Sequence, residues 1–398
     1  MSKASIKQAL QRKLGKKKLC YVARDIERGA AGFILDLKNY HIITNDSPYA
    51  RKLKEKYQDN IEILRSSDAQ ILDTFKLLAH PGTLKLIKKK DYVLVFKNTP
   101  QIEKYCAEHG WKLLNPSAVL ANQVEEKISQ INWLGPLAKL LPKYKIDICK
   151  NISWTGKKFI LQFNRSHTGS GTILITNKKQ LNKLKQKFPN REARVAEYIS
   201  GPLFTNNNIV WRGKIILGNI SYQITGLKPF TDLPFATIGN DWALPSKILT
   251  KTQIKQYNKI ATLVGKRLAK QGWKGLFGID TVLNEQTGQL YLLEINARQP
   301  ASATFEAELQ QTNTVFEAHL AALLNSPYQG QKLTKIKNGS QIIQRVLINT
   351  KKKIGQKKQR KLGNLKIINY TNSKPGSDLV RMQNSGGIMK KHKVIKYD

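Results

Sequence analysis

Between residues 275 and 300 the sequence GLFGIDTVLNEQTGQLYLLEINARQP carries an aspartate, a glutamate, an asparagine and an arginine that two strands can bring together. Residues 276–283 and 289–296 read as strands joined by the turn-rich Asn284-Glu285-Gln286-Thr287-Gly288. Side chains alternate along a strand, so Asp280 and Val282 share one face, and Leu292, Glu294 and Asn296 share a face of the second strand. With Val282 opposite Leu292, Asp280 falls opposite Glu294, and Asn296 lies two residues further on. Facing carboxylates destabilise a sheet unless a cation lies between them. Two carboxylates and an amide oxygen are hard oxygen donors, the kind Mg²⁺ takes alongside phosphate oxygens. Arg298 follows, placed for an anionic group beside the metal. The alternative is an ordinary hairpin with solvated acids, and local charge argues against it. Residues 275–331 hold six acids and one base, in a chain with 68 basic and 27 acidic residues.

The elements that must position these residues need a large chain, and 398 residues suggest two to four packed units. A hydrophobic content of 40%, with 14 Tyr, 12 Phe and 6 Trp, can bury substantial cores. No apolar run is long enough to cross a bilayer, and the basic start has no secretory-signal pattern. Cys20, Cys106 and Cys149 are scattered, with no CxxC pair, which argues against a disulfide framework or a zinc site and predicts a cytoplasmic protein. Residues 1–18 hold seven bases and no acid, and residues 331–398 hold eighteen bases and two acids, so the ends supply +23 of the net +41. Such a surface attracts polyanions, nucleic acid among them, although compositional bias toward lysine gives the same count.

Strands alternate with helices from residue 19 to 114: strands at 19–23, 40–44, 61–64 and 92–96, helices at 49–57, 68–79 (capped by Ser67 or Asp68) and 100–109. This predicts a small parallel sheet, without a GxGxxG or Walker A motif. WKLLN and the turn Asn115-Pro116-Ser117 then lead into an amphipathic helix containing Lys127. Residues 159–175 read as two strands around a small polar loop holding Ser166, Gly169, Ser170 and Gly171, a loop that lets backbone amides approach phosphate. The segment VAEYISG follows a helix at 178–188, and strands return between residues 209 and 227. Residues 230–245 read as a loop whose Gly239-Asn240-Asp241-Trp242 could meet substrate. Helices are expected at 250–271 and 314–324, and strands recur in the basic tail.

An aspartate on one strand followed by a strand ending Glu294-Ile295-Asn296-x-Arg298 resembles the metal-binding end of the ATP-grasp superfamily of carboxylate–amine/thiol ligases. The order of the other motifs fits that resemblance, over residues 115–325 by motif and 19–114 by architecture. It implies a basic arm (1–18), a preceding α/β domain (19–114), a two-lobed α+β ATP-grasp domain (115–330, hinge near 196–201) and a basic β-rich extension (331–398). It further implies that Glu197, Tyr198 and Ile199 read adenine largely through main chain. Gln162, Ser166, Gly169, Ser170 and Gly171 line the phosphates, and Lys127 approaches the nucleotide. Asp280, Glu294 and Asn296 hold Mg²⁺, with Mn²⁺ as an alternative ion. Two positions depart from the usual pattern: Gln162 stands where a lysine is frequent, and Leu203 where an acid often holds ribose.

The function implied is an ATP- and Mg²⁺-dependent ligase joining a carboxylate to an amine through an acyl-phosphate, with Arg298 and Lys127 neutralising the charge of the transferred group. The alternative is a basic nucleic-acid-binding protein with a degenerate ATP-grasp site. A third reading combines them, as a ligase for a polyanionic or macromolecular acceptor.

Overall fold

Short runs of β-branched and aromatic residues flanked by helix caps build the first sheet, whose five strands are all parallel. Their order across the sheet is Ile61–Leu64, Tyr40–Asn45, Leu19–Val22, Tyr92–Val95 and Lys112–Leu113. The structure, a computed structural model, describes residues 3–66, 70–164, 171–328, 332–347 and 365–396. The helix expected at 68–79 is a shorter one, Thr74–Ala79, because Asp73 accepts the Lys76 amide and caps it there; Ser67 and Asp68 lie outside the described residues.

The basic arm is a helix, Lys3–Leu14. Ile6, Leu10 and Leu14 recur every four residues, forming one apolar stripe, and all three are buried. They join a core that also holds Tyr21, Tyr40, Ile209, Leu276, Phe316 and Leu320, so the parallel sheet and the following domain share apolar packing.

A four-stranded antiparallel sheet follows, ordered Tyr144–Ile148, Glu192–Glu197, Phe159–Phe163 and Thr172–Ile175, with the helix Lys178–Lys187 beside it. Phe159, Leu161, Phe163 and Ala193 face its own small core. The largest sheet begins at the hairpin Gly275–Leu283/Leu290–Asn296 and continues through Leu203–Trp211, Ser221–Thr225 and Thr237–Asp241. The helix Lys251–Lys270 covers one face, burying Tyr257, Ile260, Ala261, Val264 and Leu268.

The segment expected as a loop at 230–245 contains the strand Thr237–Asp241. Asp241 is wholly buried and accepts the amides of Ala243, Leu244, Ile388 and Met389, while Trp242 is buried. These groups tie the tail to the sheet.

The tail strands Ser340–Arg345, Asp378–Asn384 and Leu365–Asn369 prolong this same sheet beyond Thr237–Asp241. Buried Arg381 donates to the Tyr370 hydroxyl (2.9 Å), which donates to Glu27 of the first domain (2.5 Å). The most basic tract of the tail lies outside the described residues. Among the described residues no helix is long and apolar enough to cross a membrane.

Candidate active site

The hairpin pairs Asp280 with Glu294, as its sequence predicts, but the neighbouring register differs: Val282 pairs with Tyr291, and Thr281 with Leu292. One extra residue, Leu293, is accommodated as a bulge. Its consequence is chemical. Leu292, expected to share a face with Glu294, turns into the main core with Ile279 and Ile295, while Glu294 keeps 38% of its side-chain surface. The amide of Asn296 donates to Asp280 Oδ2 at 3.3 Å.

Lys127 reaches this pair from a break between helices. The helix Ala118–Glu125 stops because Glu126 takes an extended conformation (φ −72°, ψ 136°), and the next helix begins at Ser129. Asn164 stabilises the break: its carbonyl accepts the Lys127 amide (3.2 Å), its side-chain oxygen accepts the Ile128 amide (2.9 Å), and its amide donates to Glu126 (2.8 Å). The expected continuous helix is therefore interrupted at the residue that matters. Lys127 Nζ lies 3.0 Å from Glu294 Oε1 and is itself buried.

The two carboxylates occupy different electrostatic situations. Burial, then the charge of Glu294, push the Asp280 pKa up, against hydrogen bonds from Thr205, Gln223 and Asn296. Burial pushes Glu294 up as well, but Lys127, Arg298 and Arg194 outweigh it and hold its pKa below the usual range. Arg298 Nε is 3.3 Å from Glu125 Oε1, and Lys97 Nζ is 2.7 Å from Oε2 of the same carboxylate. Arg298 and Arg28 also lie over the Phe96 ring. A cationic cluster thus stands where the parallel-sheet domain meets the end of the hairpin.

Gln162 does not stand free. In register opposite Arg194, it accepts hydrogen bonds from the Nε and Nη2 of that guanidinium and donates to Thr172 Oγ1 (3.0 Å). Glu197, Tyr198 and Ile199, expected at the hinge, end the strand Glu192–Glu197 and enter the link to Leu203–Trp211, and the Glu197 amide bonds to Lys143 O (2.8 Å). Gly201 is required just after them, since a Cβ there would lie 1.9 Å from the Leu283 carbonyl oxygen. The Gly171 carbonyl accepts the Phe163 amide; Ser166, Gly169 and Ser170 lie outside the described residues.

The structure thus gathers Asp280, Glu294, Asn296 and Lys127, while Arg298 pairs with Glu125 and acts on Glu294 through its charge. Sequence reasoning missed Glu125, Thr205, Gln223 and Arg194. Only Arg194 carried a signal, as an arginine in the alternating strand before the hinge.

The donor set fits Mg²⁺ carried by a phosphate ligand. Among the described residues no group of three or more His, Cys, Asp or Glu could hold a metal. A carboxylate pair with one amide oxygen leaves most octahedral positions to phosphate and water, which is how proteins usually hold Mg²⁺.

An N-terminal parallel sheet followed by two antiparallel sheets is the arrangement of the ATP-grasp fold. The chain is similar in structure to carboxyaminoimidazole ribonucleotide synthase from Aspergillus clavatus complexed with ATP, at 14% identity and a TM-score of 0.62, covering 93% of this chain and 94% of that one. It is likewise similar to N5-carboxyaminoimidazole synthetase from Staphylococcus aureus, at 12% identity and a TM-score of 0.65, covering 96% and 94%. An L-amino acid ligase from Bacillus licheniformis shows 12% identity and a TM-score of 0.61, covering 94% of each chain. No family model matches the chain, and no curated protein matches it in sequence.

Proposed function

We propose that this protein is an ATP-dependent ligase that joins a carboxylate to an amine, with release of ADP and phosphate. The observation that carries the reading is the cross-strand pair Asp280–Glu294, with Asn296 bonded to the first and Lys127 to the second. Support comes from structural neighbours that include an ATP complex and an L-amino acid ligase. The alternative of nucleic-acid binding on a degenerate site draws no support from them.

Asp280, Glu294 and Asn296 would hold Mg²⁺ (or Mn²⁺), which would supply positive charge to offset that of the transferred phosphoryl group. Glu197, Tyr198 and Ile199 present the hinge backbone to adenine. A substrate carboxylate oxygen attacks the γ-phosphorus, and the bond to the bridging oxygen breaks to release ADP. Lys127 and Arg298 neutralise the charge on the transferred group. The amine nitrogen then attacks the acyl carbon, a C–N bond forms, and phosphate leaves with the bonding pair and accepts the amine's proton. Arg298, with Lys97 and Arg28 near it, provides the anion-binding side of the carboxylate site. We place the reaction in the cytoplasm, where Cys20, Cys106 and Cys149, all free and buried, stay reduced.

Calorimetric titration with ATP, with and without Mg²⁺, tests the reading. Magnesium-dependent binding by the wild type that is lost in Glu294→Gln, followed by ADP release with an acid and an amine, is the expected result. A folded wild type that binds no ATP overturns it.

A further inference from the structure

Arg194 is 4% exposed, and among the described residues its Nη1 is buried with no hydrogen-bond partner. Its other two nitrogens both donate to Gln162 Oε1, an uncharged acceptor. A buried guanidinium without a bonded carboxylate is costly, and a fold that retains one commonly reserves it for an anion. Its direction in the lobe is also informative. Phe159, Leu161, Phe163 and Ala193 pack into the lobe's own core, and side chains alternate along each strand. Gln162 and Arg194, paired in register, therefore occupy the opposite face. On that side Asn164 anchors the break carrying Lys127, and the charge of Arg194 acts on Glu294.

We propose that Arg194 binds a phosphate of the nucleotide through its unpartnered Nη1, and that Gln162 is the positioning residue that fixes its guanidinium. The inference rests on the ligase reading and deepens it. It gives Gln162 a different part from the direct phosphate contact implied by the family resemblance: the glutamine aims the cation, and the neighbouring strand supplies the charge. Burial alone lowers the Arg194 pKa, to about 10, with Glu294 and Tyr144 opposing the fall, so the group stays cationic at neutral pH. The ligand class is a nucleoside di- or triphosphate rather than a nucleoside, because only the phosphates supply the negative charge.

The test uses the full chain and Arg194→Met, which keeps volume and removes the charge. Calorimetry reads the affinities for ATP, ADP and adenosine, and thermal melting without nucleotide reads stability. A charged hydrogen bond predicts that ATP and ADP bind about 10- to 100-fold more weakly to the variant, with adenosine unchanged. Melting without nucleotide stays level or rises, because a costly buried charge has gone. Gln162→Met is expected to weaken ADP by about 3- to 10-fold through loss of orientation, a smaller effect than loss of the charge itself. Unchanged ADP affinity in a folded Arg194→Met protein, with lowered melting, would make Arg194 a structural residue and overturn the proposal while leaving the ligase reading intact. A wild type that binds no adenine nucleotide overturns both. If Arg194→Met does not fold, Arg194→Gln is read in the same titration with the same two outcomes.

Discussion

Lys127 Nζ lies 3.0 Å from Glu294 Oε1, and it reaches there from a break in its helix rather than from a helical face. The lysine is buried while its partner is 38% exposed, so the pair is half screened and its value to stability is modest. In the proposed reaction its value would be larger, because a buried cation already in place beside Glu294 would cost no reorganisation during phosphoryl transfer.

Replacing that cation separates the two contributions. Lys127→Met should lower stability by about 1 kcal/mol or less and reduce ATP turnover by about 10²-fold or more. Denaturant titration and ADP release, measured side by side, check this. A large stability loss with intact turnover would contradict it.

Asp280 has the opposite balance, since burial and then the charge of Glu294 raise its pKa. Asp280→Asn removes a repelling charge and keeps the shape. Its folded state without metal should be at least as stable as wild type, by up to about 1 kcal/mol. The magnesium dependence of ATP binding should disappear. Melting curves and calorimetry with and without Mg²⁺ read the two effects.

A pH effect is expected from Glu306, whose bonded partners among the described residues are uncharged. It is wholly buried and accepts from the Asn207 and Asn219 side chains and the Asn219 amide. Burial raises its pKa from 4.5 to about 7, against those bonds. A raised folded-state pKa means that the stability it favours is fully present below about pH 4.5 and is lost as pH rises through about 7. At about 1.4 kcal/mol per unit, the loss amounts to roughly 3 kcal/mol. Glu306→Gln should flatten this part of the stability profile between pH 5 and 8, as followed by urea denaturation.

Gly201 sits where the link between Glu192–Glu197 and Leu203–Trp211, the proposed hinge, passes the hairpin. Gly201→Ala would force a methyl group against the Leu283 carbonyl. A loss of about 2 kcal/mol or more is expected, together with weaker ATP binding as the hinge shifts. An alanine variant as stable as wild type would show that the hinge has slack.

Much of this site was legible because its signals are local. Alternation and a turn-rich spacer sufficed for the hairpin and for Asp280 facing Glu294. The bulge at Leu293 was not legible, because one extra apolar residue leaves the composition of the strand unchanged. The break at Glu126 has neither proline nor glycine; it depends on Asn164, which sequence places 38 residues away. Arg194 acquires its character from pairing with Gln162, again a partner remote in sequence. The helix in the arm went unread for a different reason: its seven bases hid an apolar stripe with a spacing of four.

The tail strands have a further consequence for how this protein can be cut. Thr237–Asp241 has Ser221–Thr225 on one side and Ser340–Arg345 on the other. Trimming the chain before residue 340 would bare a row of unpaired amides and carbonyls on that strand, and would leave buried Glu27 without Tyr370 and Arg381. Such an open edge recruits other chains. The tail strands thus close an edge of the largest sheet that would otherwise stand open to pairing.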